Sequence, residues 1–193
     1  MKPALADSYK QCEKLVKAQS TSFFLASRTL PPHKRKAIYA IYAFCRLCDD
    51  IVDNDNKKSE KKLRIDKIRS SLQIGSISAD LNPIVLALND VINVYKIPVA
   101  YFEDLLLGME SDIDFVKFNN FRELKLYCHR VASVVGFMCL NIFGYEDDIC
   151  KELAIDLGIA MQLTNIIRDV KEDFELNRVY IPCLLYTSPS PRD

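Results

Sequence analysis

Apolar side chains recur at helical spacing along almost the whole of this chain. Leu5, Tyr9, Cys12 and Leu15/Val16 predict an amphipathic helix over residues 4–18. Ser20-Thr21-Ser22 is a cluster suited to capping the turn that carries Phe23-Phe24-Leu25. Pro31-Pro32 opens the next element with proline at a first helical position. Residues 34–53 then read as one helix, and Ala37 through Cys45 are apolar on every side of it. A helix without a polar face belongs at the centre of its domain. Asn54-Asp55-Asn56 ends it, a basic helix follows over 57–69, and Gly75 begins a loop. Asn82-Pro83 caps a helix to Tyr95, and Pro98 starts another through Asp114. Asn119 and Asn120 cap a helix that Gly144 stops after Phe143, and a last helix is predicted from about 146 to 174. No strand-like alternation of any length occurs, so the expected fold is all-α, with many helices around residues 34–53.

The informative positions are the polar ones that interrupt this pattern. Asp49 and Asp53 are four apart, so on a helix their carboxylates point the same way, one turn above the other. Such a like-charged pair costs an isolated helix roughly 0.2–0.5 kcal/mol. A divalent cation would offset that cost. The same spacing recurs at Asp169 and Asp173, and two such ladders facing a cavity would suit a hard, oxygen-seeking ion such as Mg²⁺. Gln162, Asn165, Asp169 and Asp173 form one stripe on a helix whose other faces are apolar, so the helix is expected to be mostly buried. Amides and carboxylates in such a place need partners, which a lined cavity or neighbouring helices would supply. Arg46, one turn before Asp49, could grip a carboxylate or a phosphate oxygen. Tyr127 is the one phenol in an apolar stripe with Val131, Val134/Val135 and Met138, a pattern that core packing also explains.

Composition narrows the function classes. The 193 residues fit one domain or a piece of a larger one, and 26 basic residues balance 26 acidic ones, so no global field points to nucleic acid. The seven cysteines are odd in number and embedded in helical patterns, as expected of reduced thiols rather than a disulfide framework. Cys45 and Cys48 make a C-x-x-C inside a helix with no second pair, which argues against zinc or redox chemistry. No secretory leader pattern is seen and no uninterrupted apolar run reaches about 18 residues, so a soluble, cytoplasmic protein is expected; a monomer is the expected state. Residues 57–69 carry seven basic and two acidic side chains; a solvated face explains them, and peripheral contact with anionic lipid is the alternative.

Three segments together resemble the phytoene/squalene synthase family. They are Ser20 through Arg28 with Leu30-Pro31, Ala40 through Arg46 and Asp49-Asp50-Ile51-Val52-Asp53; Tyr127 through Gly136; and Gln162 through Asp173 with Arg178-Val179-Tyr180-Ile181-Pro182. The resemblance spans residues 8–182. It implies an isoprenoid-synthase helical bundle, of which residues 1–182 would be the N-terminal two-thirds. It also implies head-to-head condensation of two farnesyl or geranylgeranyl diphosphates, with Mg²⁺ (or Mn²⁺) as cofactor. NADPH is implied only for a squalene product. By the same resemblance Asp49, Asp53, Asn165, Asp169 and Asp173 would hold metal, and Arg46, Gln162, Asn165 and Arg168 the diphosphate. Ser20, Ser22 and Phe23 would line the cavity mouth, and Tyr127 would lie near the reacting carbons. Residues 183–193, with their Ser-Pro-Ser-Pro run, show no core pattern and are expected to be a tail outside the family's sequence. An inactive fragment, or a non-catalytic assembly factor with the same fold, is the alternative.

Overall fold

The computed structural model describes residues 3–54, 56–73, 82–115 and 117–182, all helical or connecting, with no strand among them. The loop expected from Gly75, Cys183 and the 183–193 tail lie outside these residues. Three elements build the first layer: α1 (Pro3–Gln19), the short α2 (Thr21–Ser27) and α3 (Pro32–Asp53). α3 begins with proline in its first turn and buries Ala37, Ile38, Tyr39, Ala40, Ile41, Ala43 and Phe44, then Cys48, Ile51 and Val52. Its apolar circumference lets α1, α5 (Pro83–Tyr95), α6 (Val99–Ile113) and α8 (Val134–Phe143) pack round it. α4 (Lys58–Gln73) lies against α6, where Arg69 donates to Glu103 Oε2 at 3.0 Å and to Glu110 Oε1 at 2.8 Å.

Local chemistry sets most of the boundaries. The Asn82 side chain accepts from the Ile84 amide at the start of α5, and Asn120 from the Glu123 amide at the start of α7 (Phe121–Cys128). Gly144 closes α8 at φ 79°, a conformation that costs glycine little. Ser20 is the N-cap of α2 but makes no capping bond with its side chain, so its hydroxyl plays no part in starting that helix.

Three expectations are corrected. Residues 121–143 do form one helical rod, but a π turn at His129–Ser133 interrupts it between α7 and α8. That rod is long and apolar enough to cross a membrane by length and composition, which a count of uninterrupted apolar runs misses because Lys125, His129 and Arg130 lie within it. Here it packs against α6 and α9, with about a third of its apolar stretch buried. The last predicted helix is two, α9 (Ile149–Arg168) and α10 (Val170–Glu175), parted at Asp169. Arg168 donates from Nε and Nη2 to the two Asp169 oxygens, 2.6 Å each, and adjacent side chains meet this way only off the regular helix. Finally, α9 is not mostly buried: only Gly158, Ile159 and Ile166 are, while Leu153, Leu157, Met161 and Ile167 are each about 60% exposed or more.

Candidate active site

The site starts on one face of α3. Tyr42, Arg46, Asp49 and Asp53 step by four, three and four residues, so they share that face. Phe23 of α2 stacks on Tyr42, with ring centroids 5.2 Å apart. By helical rise this places Phe23, with Ser20 and Ser22 beside it, about 10 Å along the axis from Asp49. Arg46 pairs with Asp50 at 2.8 Å, and its Nε is buried without a hydrogen-bond partner. A buried donor left open is unfavourable until an acceptor fills it.

The second half arrives from the other end of the chain by a backbone device. After α10 the chain turns at Asn177 (φ 58°): the Asn177 amide donates to Phe174 O at 3.0 Å and the Arg178 amide to Asp173 O at 2.8 Å. This is the Schellman arrangement, with asparagine as the left-handed residue. The reversal aims two side chains back at the bundle. Arg178 Nη1 donates to Asp53 Oδ1 at 2.8 Å, and Tyr180 Oη donates to Asp112 Oδ1 at 2.8 Å. Tyr127 on α7 donates to the other Asp112 oxygen at 2.9 Å and stacks on Tyr180. Phe115 and Phe118 enclose the pair of phenols. Beside this cluster lies an apolar groove of about 320 Å³, lined by Ile166, Val170, Phe174 and Val179 and by Asp173, Arg178 and Tyr180 at its polar end.

Asp53 is the hub of the resulting field. Its charge acts on Asp49, on Asp112 and on Asp173, so the two acidic ladders meet across it. Burial, then the Asp53 charge, pushes the Asp49 carboxyl up to about 6, against the pull of Arg46. Burial pushes Asp112 to about 6 as well, although Tyr180, Tyr127 and Arg178 all favour its ionised form. Asp173 is raised by burial and by Asp169 and Asp53, with Arg178 opposing. Asp169 is lowered by the hydrogen bonds from Arg168.

Hard oxygen donors that raise one another's pKa are the donor set a Mg²⁺ ion suits, and in that chemical sense the residues fit the metal. As placed, no three His, Cys, Asp or Glu side chains among the described residues form a ready cage. Asp53 is held by Arg178 and Asp169 by Arg168 instead.

Of the residues picked from sequence, Asp49, Asp53, Asp173, Arg46 and Tyr127 are brought together, with Asp169 and Arg168 one turn from Asp173. Gln162 and Asn165 lie next along α9 and touch at 3.5 Å. Ser20, Ser22 and Phe23 stand at the far end of the α3 face, with no polar contact to the ladders. Asp112 carries no sequence signal of its own: it is one of five acidic residues, Glu103, Asp104, Glu110, Asp112 and Asp114, on α6 or just after it. Arg178 and Tyr180 entered only as part of a resemblance. Cys45 and Cys48 are free thiols, both pushed up by burial.

Residues 16–185 match the family model for squalene/phytoene synthase. The chain belongs to the squalene/phytoene synthase family. It is similar to the phytoene synthase of Mycobacterium tuberculosis, 36% identical over 178 residues, which are 92% of this chain and 58% of that relative. It is equally similar to the phytoene synthase of Arthrospira platensis, 36% over 190 residues, covering 92% and 62%. Among solved structures, a dehydrosqualene synthase in complex with ligand superposes with a TM-score of 0.82 at 35% identity, over 92% of this chain and 62% of that one. A squalene synthase from Alicyclobacillus acidocaldarius also gives 0.82, at 28% identity, covering 92% and 67%. These likenesses fix the fold as the all-α isoprenoid-synthase bundle of squalene and dehydrosqualene synthases. The chain spans 58% to 62% of the length of the two bacterial relatives.

Proposed function

We propose that this chain carries the diphosphate-ionising site of a prenyltransferase that joins two prenyl diphosphates head to head. The observation that carries the reading is the meeting of both acidic ladders at Asp53, beside Arg178 and the Tyr127–Asp112–Tyr180 cluster, in a chain of this family.

Asp49, Asp53, Asn165, Asp169 and Asp173 would hold Mg²⁺, which when bound supplies positive charge to a diphosphate as its carbon–oxygen bond breaks. The chain's own groups do the rest. Arg46 offers its open Nε to a phosphate oxygen. Arg168, forked onto Asp169, and Arg178, bonded to Asp53 through one nitrogen, supply further guanidinium donors at the same end of the site. The diphosphate leaves with the bonding electron pair and an allylic cation remains, to be attacked by the double bond of the second prenyl chain; a proton is then lost. That cation survives only where water is excluded, and Phe23 on Tyr42 forms one such wall. Tyr127 and Tyr180 direct their protons to Asp112, and Tyr180 lines the groove, where its oxygen lone pairs would face a positive charge. A non-catalytic role would give no reason to keep four carboxylates at ladder spacing.

The test is product formation from farnesyl and geranylgeranyl diphosphate with excess Mg²⁺, in the chain extended to the length of its relatives. Asp49→Asn and Asp173→Asn are each expected to lower turnover at least a hundredfold while the protein remains folded. Turnover at the unsubstituted level in either variant would remove the reading.

A further inference from the structure

The rod at 121–143 poses a packing problem. Tyr127 and Val134 are seven residues apart; Leu124 and Met138, like Cys128 and Ile142, are fourteen apart. At 3.6 residues per turn these separations are close to whole turns, so an uninterrupted α-helix would put both groups on one side. They belong instead to separate clusters. Leu124, Tyr127 and Cys128 pack with Ile159, Ile166 and Tyr180, whereas Val134, Met138 and Ile142 pack in the main core against α3 and α6. The π turn at His129–Ser133 resolves the conflict, because one extra residue in a turn rotates the remainder of the rod by about 100°.

The wide turn is held from both sides by glycines. A Cβ on Gly108 of α6 would lie 2.6 Å from Val131 Cγ1 and 3.2 Å from Arg130 Cβ. A Cβ on Gly158 of α9 would lie 2.5 Å from Ser133 Cα and 2.6 Å from its backbone nitrogen. Ser133 is wholly buried and donates to Ile155 O on α9 at 2.9 Å. Each glycine is in register with site chemistry: Asp112 is one turn beyond Gly108, and Gln162 and Asn165 are one and two turns beyond Gly158. Tyr127 lies two residues before the turn.

We propose that the π turn, gripped between Gly108 and Gly158, sets Tyr127 against Asp112 and Tyr180, which makes both glycines positioning residues of the site. The device brings α6, the rod and α9 to one separation and one rotation, and a single added methyl disturbs both. It rests on the site described above, but its first test does not depend on the reaction.

The test monitors the tyrosine ring resonances of the isotopically labelled protein, with Tyr127 and Tyr180 assigned by their Phe variants. Gly158→Ala is expected to shift both resonances while leaving Tyr9, bonded to Asp90 between α1 and α5, in place. Gly108→Ala is expected to do the same, and adding Val131→Ala removes the nearest atom it meets, leaving Arg130 Cβ at 3.2 Å, and should restore the resonances. This second pair of variants decides the matter if Gly158→Ala does not fold. In the extended chain, Gly108→Ala should lower kcat more than tenfold with KM within about twofold, again restored by Val131→Ala. A lower melting temperature with unmoved Tyr127 and Tyr180 resonances would overturn the proposal. So would shifts in Gly108→Ala that Val131→Ala leaves in place. Shifted and rescued resonances without any turnover would uphold the positioning device and count against the prenyltransferase reading alone.

Discussion

Asp49 holds its proton up to a pH of about 6, against an ordinary value of 3.8, because burial and the neighbouring Asp53 oppose its charge. A carboxyl raised on folding stabilises the protein while protonated, and that contribution is lost as pH climbs from about 4 through 6. Asp49→Asn is therefore expected to raise stability at pH 7.5 by about 3 kcal/mol in chelator, and the gain should vanish below pH 4. Denaturant unfolding of both proteins at the two pH values checks this; an Asn variant less stable at pH 7.5 would contradict it. The four ladder aspartates were legible because like charges at helical spacing on an apolar helix are a cost that asks for a purpose. Asp112 was not legible. Its meaning comes from Tyr127 and Tyr180, which reach it from two other elements, and no spacing along the chain announces that meeting.

α3 was legible as the central helix from its apolar circumference, and the caps at Asn82, Asn120 and Gly144 were legible from local chemistry. The π turn and the break at Asp169 were not, since hydrophobic periodicity cannot register one extra residue in a turn or an Arg–Asp fork between neighbours. α4 shows how tertiary contacts divide a charge run. Lys61 donates to Val52 O at 2.6 Å, Lys62 pairs with Asp114, and Arg69 is taken up by α6, whereas Arg64 and Lys67 are exposed and flank an exposed Leu63. We propose that this remaining face meets anionic lipid at the membrane surface. Binding to phosphatidylserine vesicles should fall steeply between roughly 50 and 300 mM salt, on the order expected from Debye screening, and halve or more in Arg64→Gln/Lys67→Gln. Equal binding to neutral vesicles in high salt would contradict it.

Across the molecule, one surface stands apart. Ile149, Leu153, Leu157, Met161 and Ile167 run along α9, and Phe174 continues them on α10, all more than half exposed. So many exposed apolar side chains on one helix are unusual on a protein that functions as a monomer. It flanks the groove beside Asp173 and Arg178, so a site open on that side cannot shield a carbocation. Residues 1–193 alone are accordingly expected to bind a hydrophobic dye strongly and to give no condensation product, whereas the chain extended to its relatives' length should show weak dye binding and turnover. Comparable product from both would contradict this view of the α9 face. Such a face was visible in sequence as an apolar pattern, but periodicity alone could not say whether it was covered.

The central claim is that the two ladders act as one metal-dependent diphosphate site, and residues 1–193 suffice to test it. The measurement is calorimetric titration with a farnesyl thiodiphosphate that resists ionisation, in Mg²⁺ and in chelator, on the unsubstituted chain and on Asp53→Asn and Asp173→Asn. Binding is predicted to require Mg²⁺ and to weaken at least tenfold in each variant, although the two residues lie on different helices far apart in sequence. Binding that is equally tight in chelator, or undiminished in either variant, would contradict the account.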